Sequence, residues 1–159
     1  MKKTIVYSSG SGNTKKLADV IYSTIGEDIY CGKANDEALE ADMLFIGSWT
    51  MAFNATPDIK KFAEKLNNKK VFLFMTVGYN HTEEFFNTVM SAFKESLNDT
   101  NEIVGEFVCQ GKVSQAKQEA IKKADMAKFE SYKTAIEIAE THPDDKDIAN
   151  LIAKVKAVL

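Results

Sequence analysis

The sequence predicts an α/β protein in which five parallel strands form a doubly wound sheet with helices on both faces. Short apolar runs alternate along the chain with amphipathic stretches whose apolar residues recur at helical spacing. The runs at 43–47 and 71–75 are apolar on both strand faces, which is typical of parallel strands covered by helices. Because crossovers between parallel strands are right-handed, helices are expected on both faces of the sheet.

Each element has its own sequence signal. Strands are predicted at 4–8, 28–31, 43–47, 71–75 and 102–109, of which 28–31 is the weakest. Helices are predicted at 13–26, 57–66 and 82–97, with a short helix at 35–40. Gly26 suits a helix C-terminus, Pro57 suits a first helical turn, and Thr82 suits an N-cap. A ligand site in such a sheet lies beyond the carboxyl ends of the strands.

The chain after residue 114 is predicted to be helical, with an interruption at His142-Pro143-Asp144. One unbroken helix over 114–141 would be about 42 Å long. A globule of this chain length is only about 39 Å across, so a break is predicted near 124–128. Residues 1–142 are therefore predicted to form the main domain. Residues 143–159 are predicted to be a helical extension packed on or next to it.

Composition excludes several classes of function. A chain of 159 residues with 45% hydrophobic residues suits one globular domain. No apolar run approaches the ~18 residues of a membrane span, and no signal-peptide core is present, so a cytoplasmic location is expected. All 20 basic side chains are lysines and the net charge is -3, which argues against a nucleic-acid partner. The two cysteines and two histidines form no metal-binding motif, and Cys31 and Cys109 are expected as buried thiols.

The connection between the first strand and the first helix is rich in glycine and hydroxyl groups. It consists of Ser9, Gly10, Ser11, Gly12, Asn13 and Thr14. Backbone N–H groups at the positive end of the following helix suit a phosphate monoester, here held by neutral donors. The loop matches neither the P-loop pattern nor the dinucleotide fingerprint. The alternative is a plain connector in which Asn13 or Thr14 caps the helix.

Residues 6–14 strongly resemble the FMN-phosphate loop of flavodoxins, T/S-x-T-G-x-T, and the resemblance extends over roughly residues 3–112. It implies a sheet of order 2-1-3-4-5 and FMN as the cofactor, which would make residues 1–142 the FMN-binding domain. It is closest to short-chain flavodoxins, because no long insertion interrupts the last strand.

Two further loops resemble the flavin-binding loops of flavodoxins. They contribute Ser48, Trp49, Thr50, Met51, Ala52 and Phe53 from one loop, and Thr76, Gly78 and Tyr79 from the other. The large apolar side chains could sandwich a flavin ring or could simply cover the core. Met51-Ala52-Phe53 replaces the Met-Gly-Asp-like turn of the family, and a positive φ at alanine costs about 1 kcal/mol. We therefore expect this turn to rearrange less readily.

His81 follows the loop that contains Thr76, Gly78 and Tyr79. It could deliver a proton, or it could be an exposed residue ahead of the Thr82 cap. No nucleophile–base constellation can be assembled from the sequence, so no catalytic residue and no metal ligand is predicted.

The resemblance implies an FMN-binding electron-transfer protein that works between redox partner proteins, a donor reductase and an acceptor enzyme. Acidic residues outnumber lysines in the second half of the chain, which favours a basic partner surface. The alternative is a small FMN-dependent reductase, or the flavin subunit of a two-component reductase, acting on an organic substrate. A third possibility is an interaction module that has lost its cofactor. No nucleic acid, membrane or metal is expected as a partner.

Overall fold

The computed structural model describes residues 1–159 and contains one parallel sheet of five strands in the order β2-β1-β3-β4-β5. The strands are β1 (Lys3–Tyr7), β2 (Cys31–Gly32), β3 (Met43–Trp49), β4 (Lys70–Val77) and β5 (Glu102–Gln110). The helices are α1 (Asn13–Ile25), α2 (Pro57–Glu64), α3 (Glu83–Lys94), α4 (Gln115–Ala124), α5 (Met126–Ala139) and α6 (Asp145–Val158), with a short 3₁₀ helix over Asp36–Glu40. The predicted fold class and strand order are confirmed.

Alternate strand residues fill two apolar layers, one on each face of the sheet. Phe45 and Phe72 point to the layer that contains α1 and α6, and their ring centroids lie 5.5 Å apart. Leu44 and Leu73 point to the other layer, which contains α2 and α3. Each buried side chain of this size contributes about 1.5–3 kcal/mol relative to exposure. The continuous apolar runs in the sequence therefore follow from burial on both faces.

The helical segment after β5 is broken at Asp125, inside the predicted interval. The Asp125 side chain accepts a hydrogen bond from the backbone N–H of Lys128 and so caps α5. The last helix, α6, places Leu151 and Val155 in the apolar layer of α1, where both are fully buried. Residues 143–159 therefore pack directly on the sheet, and α4 and α5 form a helical pair between β5 and this closing helix.

Several predicted boundaries differ from the structure. The second strand covers only Cys31–Gly32 rather than 28–31, although the carbonyl of Tyr30 accepts a hydrogen bond from the N–H of Ile5 at 2.9 Å. The helices predicted to reach residues 66 and 97 end at Glu64 and Lys94. Leu66 and Leu97 are nevertheless buried. Their apolar character reflects packing of the chain just beyond each helix. None of the helices is long and apolar enough to cross a membrane.

Candidate functional site

A cleft of about 300 Å³ lies beyond the carboxyl ends of β1, β3, β4 and β5. The strand register brings these ends together, since Trp49 pairs with Thr76 and Val77 pairs with Gln110. Ten of the residues predicted for the cofactor site line the cleft: Ser9, Gly10, Ser11, Asn13, Thr14, Trp49, Thr50, Thr76, Gly78 and Tyr79. The three predicted loops therefore meet at one place.

The loop before α1 directs backbone N–H groups toward a single oxygen atom. Oγ of Ser9 accepts hydrogen bonds from the N–H groups of Gly12 at 3.1 Å and Lys15 at 3.3 Å. Gly12 has φ 97°, a left-handed conformation that glycine adopts without steric cost. Asn13 begins α1, whose N-terminus receives no side-chain cap from the preceding residue. Donors that converge on one oxygen at a helix N-terminus have the chemistry required for a phosphate oxygen.

Side-chain hydrogen bonds to hydroxyl and backbone carbonyl groups join the three loops at the cleft. Oγ1 of Thr14 and Oγ1 of Thr76 lie 3.0 Å apart, and both residues are buried. The hydroxyl of Thr50 donates to the backbone carbonyl of Thr76 at 3.0 Å. Nδ2 of Asn13 donates to the carbonyl of Lys112 at 2.9 Å, which ties the first loop to the end of β5. The loops therefore form one connected rim.

Five predicted residues do not line the cleft. Ser48 is fully buried, donates to the carbonyl of Trp49 at 2.7 Å and accepts from the N–H of Thr56 at 2.9 Å. It thus holds the start of the following segment, because a buried hydroxyl requires partners. Gly12 belongs to the first loop but lies outside the cleft wall. The remaining three are Met51, Ala52 and Phe53.

Met51, Ala52 and Phe53 belong to a tight turn at the edge of the site. The turn is closed by two backbone hydrogen bonds between Met51 and Asn54, of 2.8 and 3.1 Å. Ala52 has φ 49° and Phe53 has φ 64°, so both central residues are in the left-handed region. The cost of a positive φ at alanine, which we expected only on rearrangement of the turn, is therefore already present at Ala52 in this structure. Phe53 is 66% exposed and packs edge-on against Phe85, which lines the cleft.

Tyr79 lines the cleft and also stacks on Tyr132 of α5, with ring centroids 4.9 Å apart and planes 14° from parallel. Burial, and secondarily the nearby Tyr132 phenol, raises the pKa of Tyr79 above its ordinary value of 10.0. The phenol thus remains neutral at physiological pH. The Tyr79 ring predicted from the loop is thus stacked on a ring from α5 that does not itself line the cleft.

The family model for the flavodoxin domain matches residues 4–156, which is nearly the whole chain. The chain belongs to the flavodoxin family. This flavodoxin-domain match includes most of α6, whereas the sequence resemblance was predicted to extend only to about residue 112.

Individual relatives agree with this flavodoxin assignment. The chain is 30% identical over 169 residues to the flavodoxin-like domain-containing protein BilS of Clostridioides difficile (strain CD3), covering 97% of this chain and 95% of BilS. It is also 30% identical over 132 residues to a flavodoxin of Clostridium beijerinckii, covering 74% of this chain and 92% of that protein. The solution structure of two-electron reduced Megasphaera elsdenii flavodoxin shares the fold, with a TM-score of 0.56, 23% identity, and coverage of 96% and 98%.

Sequence reasoning missed the contribution of α4 to the flavodoxin site. Lys117, Ala120 and Ile121 line the cleft. Gly111 and Lys112, which directly follow β5, line it as well. The i,i+4 spacing of Lys117 and Ile121 was visible in the sequence, but it specifies only a shared helix face. It does not specify that this face turns back over the first loop.

The remaining titratable candidates lie outside the flavodoxin cleft. His81 is exposed and does not line it. Cys109 is buried in the apolar layer of α1, and burial raises the pKa of its thiol well above the ordinary value. Nδ1 of His142 lies 2.6 Å from Oδ2 of Asp147, beside the capping box that Asp144 and Asp147 form at the start of α6. The capping of α6 accounts for this last cluster.

Proposed function

We propose that this flavodoxin-family protein binds FMN and transfers electrons between redox partner proteins. The observation that carries the proposal is the loop before α1, where two backbone N–H groups converge on one oxygen position at a helix N-terminus. This loop opens directly into a cleft with aromatic and aliphatic walls. Those two features suit the two ends of FMN, a charged phosphate and a flat apolar ring system.

The chain's own residues would divide the binding of FMN between them. The backbone of 9–14, with the hydroxyls of Ser9 and Ser11, would hold the phosphate. Tyr79, supported from behind by Tyr132, would offer a ring face to the flavin. Met51 and Phe53, both exposed beside the cleft, would cover the rim. When bound, FMN supplies the redox chemistry, and the protein controls its orientation and access.

The lining of the cleft favours an electron carrier over an enzyme with acid–base chemistry. It contains no histidine, cysteine or carboxylate. Electron transfer through an exposed flavin edge requires no proton-transferring side chain, whereas reduction of most organic substrates does. We further propose that the partners are proteins with a basic contact surface, and that the protein is cytoplasmic, since Cys31 and Cys109 are free thiols.

Titration of the purified chain with FMN, followed by anaerobic reduction with a separate reductase, tests the proposal. We expect FMN uptake, reduction only when the reductase is present, and reoxidation by an acceptor enzyme. Failure to take up FMN would reject cofactor binding. Steady consumption of NAD(P)H by the chain alone would reject the carrier role and support the alternative, an FMN-dependent reductase.

A pair of variants at Ser11 shows whether the loop before α1 is the phosphate site. Ser11→Asp places a negative charge beside the converging N–H groups, so FMN affinity should fall by about tenfold or more. The asparagine of Ser11→Asn is nearly the same size as aspartate but carries no charge, so this variant should change the FMN affinity much less. Equal losses in both variants would indicate that the loop tolerates no larger side chain and would remove the electrostatic argument.

A further inference from the structure

Lys117 projects from α4 toward the loop before α1. Its Nζ lies 4.7 Å from the ring centroid of Trp49. A Cβ added to Gly10 would lie 3.5 Å from Nζ of Lys117 and 3.7 Å from Nε1 of Trp49. An ammonium group and an indole N–H, both hydrogen-bond donors without an acceptor, therefore meet at the surface of this loop.

The charge of Lys117 is not neutralised by the protein. Its side chain is half-buried and has no carboxylate within 4.0 Å. Lys112, which also lines the cleft, pairs with Glu140 at 3.1 Å. Lys122, five residues further along α4, pairs with Glu119 at 3.4 Å. Lys117 is thus the cation of the cleft that remains available to an anion.

We propose that Lys117 is a specificity-determining residue for the phosphate of FMN, with the indole N–H of Trp49 as a second, neutral donor. The inference rests on the proposed function, because it assigns the phosphate to the loop before α1. A charge-assisted hydrogen bond from an ammonium to a phosphate oxygen is roughly twice as strong as a neutral one. The neutral donors of the loop are thereby supplemented by a cation from a helix that lies far along the chain.

This assignment also gives Trp49 a different role from the one predicted. By position in the chain, Trp49 was predicted with Met51 and Phe53 as possible cover for the flavin ring. In the structure its indole is next to Gly10, whereas Met51 and Phe53 lie in the exposed turn. Trp49 therefore belongs to the phosphate end of the cleft, and Lys117 over its face is held by a cation–π contact.

Lys122 provides a matched control on the same helix. Its Nζ lies over the ring of Phe129 at 4.7 Å, the same distance as in the Lys117–Trp49 pair. Lys122 does not line the cleft. Lys122→Met therefore removes a comparable cation–π contact and an equal charge from α4, but leaves the loop before α1 untouched.

The experiment measures dissociation constants of the full chain for FMN and for riboflavin, which lacks the phosphate, by quenching of flavin fluorescence. The variants are Lys117→Met, Lys117→Arg and Lys122→Met. For Lys117→Met we expect FMN affinity to fall by about tenfold or more, with riboflavin affinity unchanged. Lys117→Arg should retain most of the FMN affinity, and Lys122→Met should resemble the original chain.

Salt dependence supplies a second readout, measured on the original chain and on Lys117→Met. Between about 0.01 and 1 M ionic strength the Debye length falls from about 30 to 3 Å, so the FMN affinity of the original chain should fall with salt. The affinity for riboflavin should stay flat, and Lys117→Met should flatten the FMN curve. This comparison keeps the proposal testable even if one variant folds poorly.

The outcomes separate the inference from the proposed function. If the original chain binds no FMN, the proposed function fails and the role of Lys117 fails with it. If it binds FMN and Lys117→Met binds equally well, only the role of Lys117 is overturned. Equal losses for FMN and riboflavin would also overturn it, because they would assign Lys117 to the ring or to packing of α4.

Discussion

The side-chain amide of Asn13 lies against the α carbon of Gly111: a Cβ added to Gly111 would meet Nδ2 at 2.5 Å and Cγ at 2.6 Å. The absence of a side chain at Gly111 lets Asn13 donate its hydrogen bond to the carbonyl of Lys112. The first residue of α1 is thereby fastened to the segment that follows β5. The loop before α1 is thus positioned partly by a contact between residues that are far apart in sequence.

Gly111→Ala should therefore displace Asn13 and disturb the loop. We expect the free energy of unfolding to fall by about 1–3 kcal/mol, the usual cost of overpacking, and FMN affinity to fall with it. Chemical denaturation and FMN titration would measure the two effects. Asn13→Ala shortens the side chain that meets the new Cβ, so the double variant should lose less than the sum of the single variants. Simple additivity would contradict a direct contact.

The turn at Ala52 and Phe53 carries strain that glycine would relieve. A left-handed conformation costs roughly 1–2 kcal/mol at an ordinary residue, and glycine avoids this steric cost. Part of the gain in stability is offset, because glycine loses more conformational entropy on folding than alanine does. Ala52→Gly should therefore raise the free energy of unfolding by about 0.5–1 kcal/mol in a denaturation experiment. Ala153→Gly, at an exposed position in the middle of α6, should lower it by about 1 kcal/mol. A loss of stability in Ala52→Gly would contradict the positive φ observed at this turn.

The role of α6 can be tested at Leu151, which is fully buried between the helix and the sheet. Leu151→Ala should lower the free energy of unfolding by about 2–5 kcal/mol, through lost burial and the cavity left behind. Leu159→Ala, at a residue 52% exposed, should change it by less than about 0.5 kcal/mol. Similar small effects in both would mean that residues 143–159 are a dispensable extension rather than part of the domain.

The sequence was informative where local chemistry and tertiary environment agree. The runs at 43–47 and 71–75 predicted buried parallel strands because both of their faces are covered, as Phe45 and Leu44 illustrate on opposite layers. The loop before α1 was identifiable because its glycines and hydroxyls are adjacent in the chain. Its place beside the cleft followed from the topology of the sheet alone.

The parts that escaped prediction depend on contacts between residues distant in sequence. Lys117 reaches the cleft because α4 folds back over it, and Tyr132 of α5 stacks on Tyr79. Helical periodicity does not specify what a helix face packs against. Ser48 was grouped with the flavin loop by position, but its hydroxyl bonds the start of the next segment. The second strand was misplaced because two residues carry almost no periodic signal.

Stability should depend on pH through Asp144, the N-cap of α6. The hydrogen bond from the N–H of Asp147, 2.9 Å long, lowers the pKa of the Asp144 carboxyl below its ordinary value of 3.8. A lowered folded-state pKa gives stability that is present above 3.8 and is lost as the pH falls through the folded-state value. Acid denaturation monitored by circular dichroism should show this loss.

Asp144→Asn isolates that contribution, because the amide oxygen still accepts from the Asp147 N–H but does not titrate. Its unfolding free energy should fall less steeply below pH 3.8 than that of the original chain. Asp145→Asn, at the next residue, makes no side-chain hydrogen bond in the original chain and serves as the control. Equal slopes for the original chain and Asp144→Asn would contradict the lowered pKa.

The Tyr79–Tyr132 stack should be visible in the titration of Tyr79. Burial is the main reason that the pKa of Tyr79 is raised, and the Tyr132 phenol adds to it. Tyr132→Ala removes both the covering ring and the neighbouring phenol group, so the pKa of Tyr79 should move down toward 10.0. Tyr132→Phe keeps the covering ring and should move it less. Carbon-13 NMR of labelled tyrosine rings would follow the titration residue by residue.

Tyr132→Ala also tests whether the Tyr79–Tyr132 stack supports the wall of the cleft. A stacked aromatic pair contributes about 0.5–1.5 kcal/mol beyond the area that it buries, so Tyr132→Ala should also loosen α5. Tyr30→Phe changes a phenol at the β2 edge of the sheet and should leave Tyr79 unaffected. If the titration of Tyr79 is the same in Tyr132→Ala and Tyr30→Phe, the two rings do not stack in solution. In that case Tyr79 would face the cofactor without support from the helical pair α4–α5.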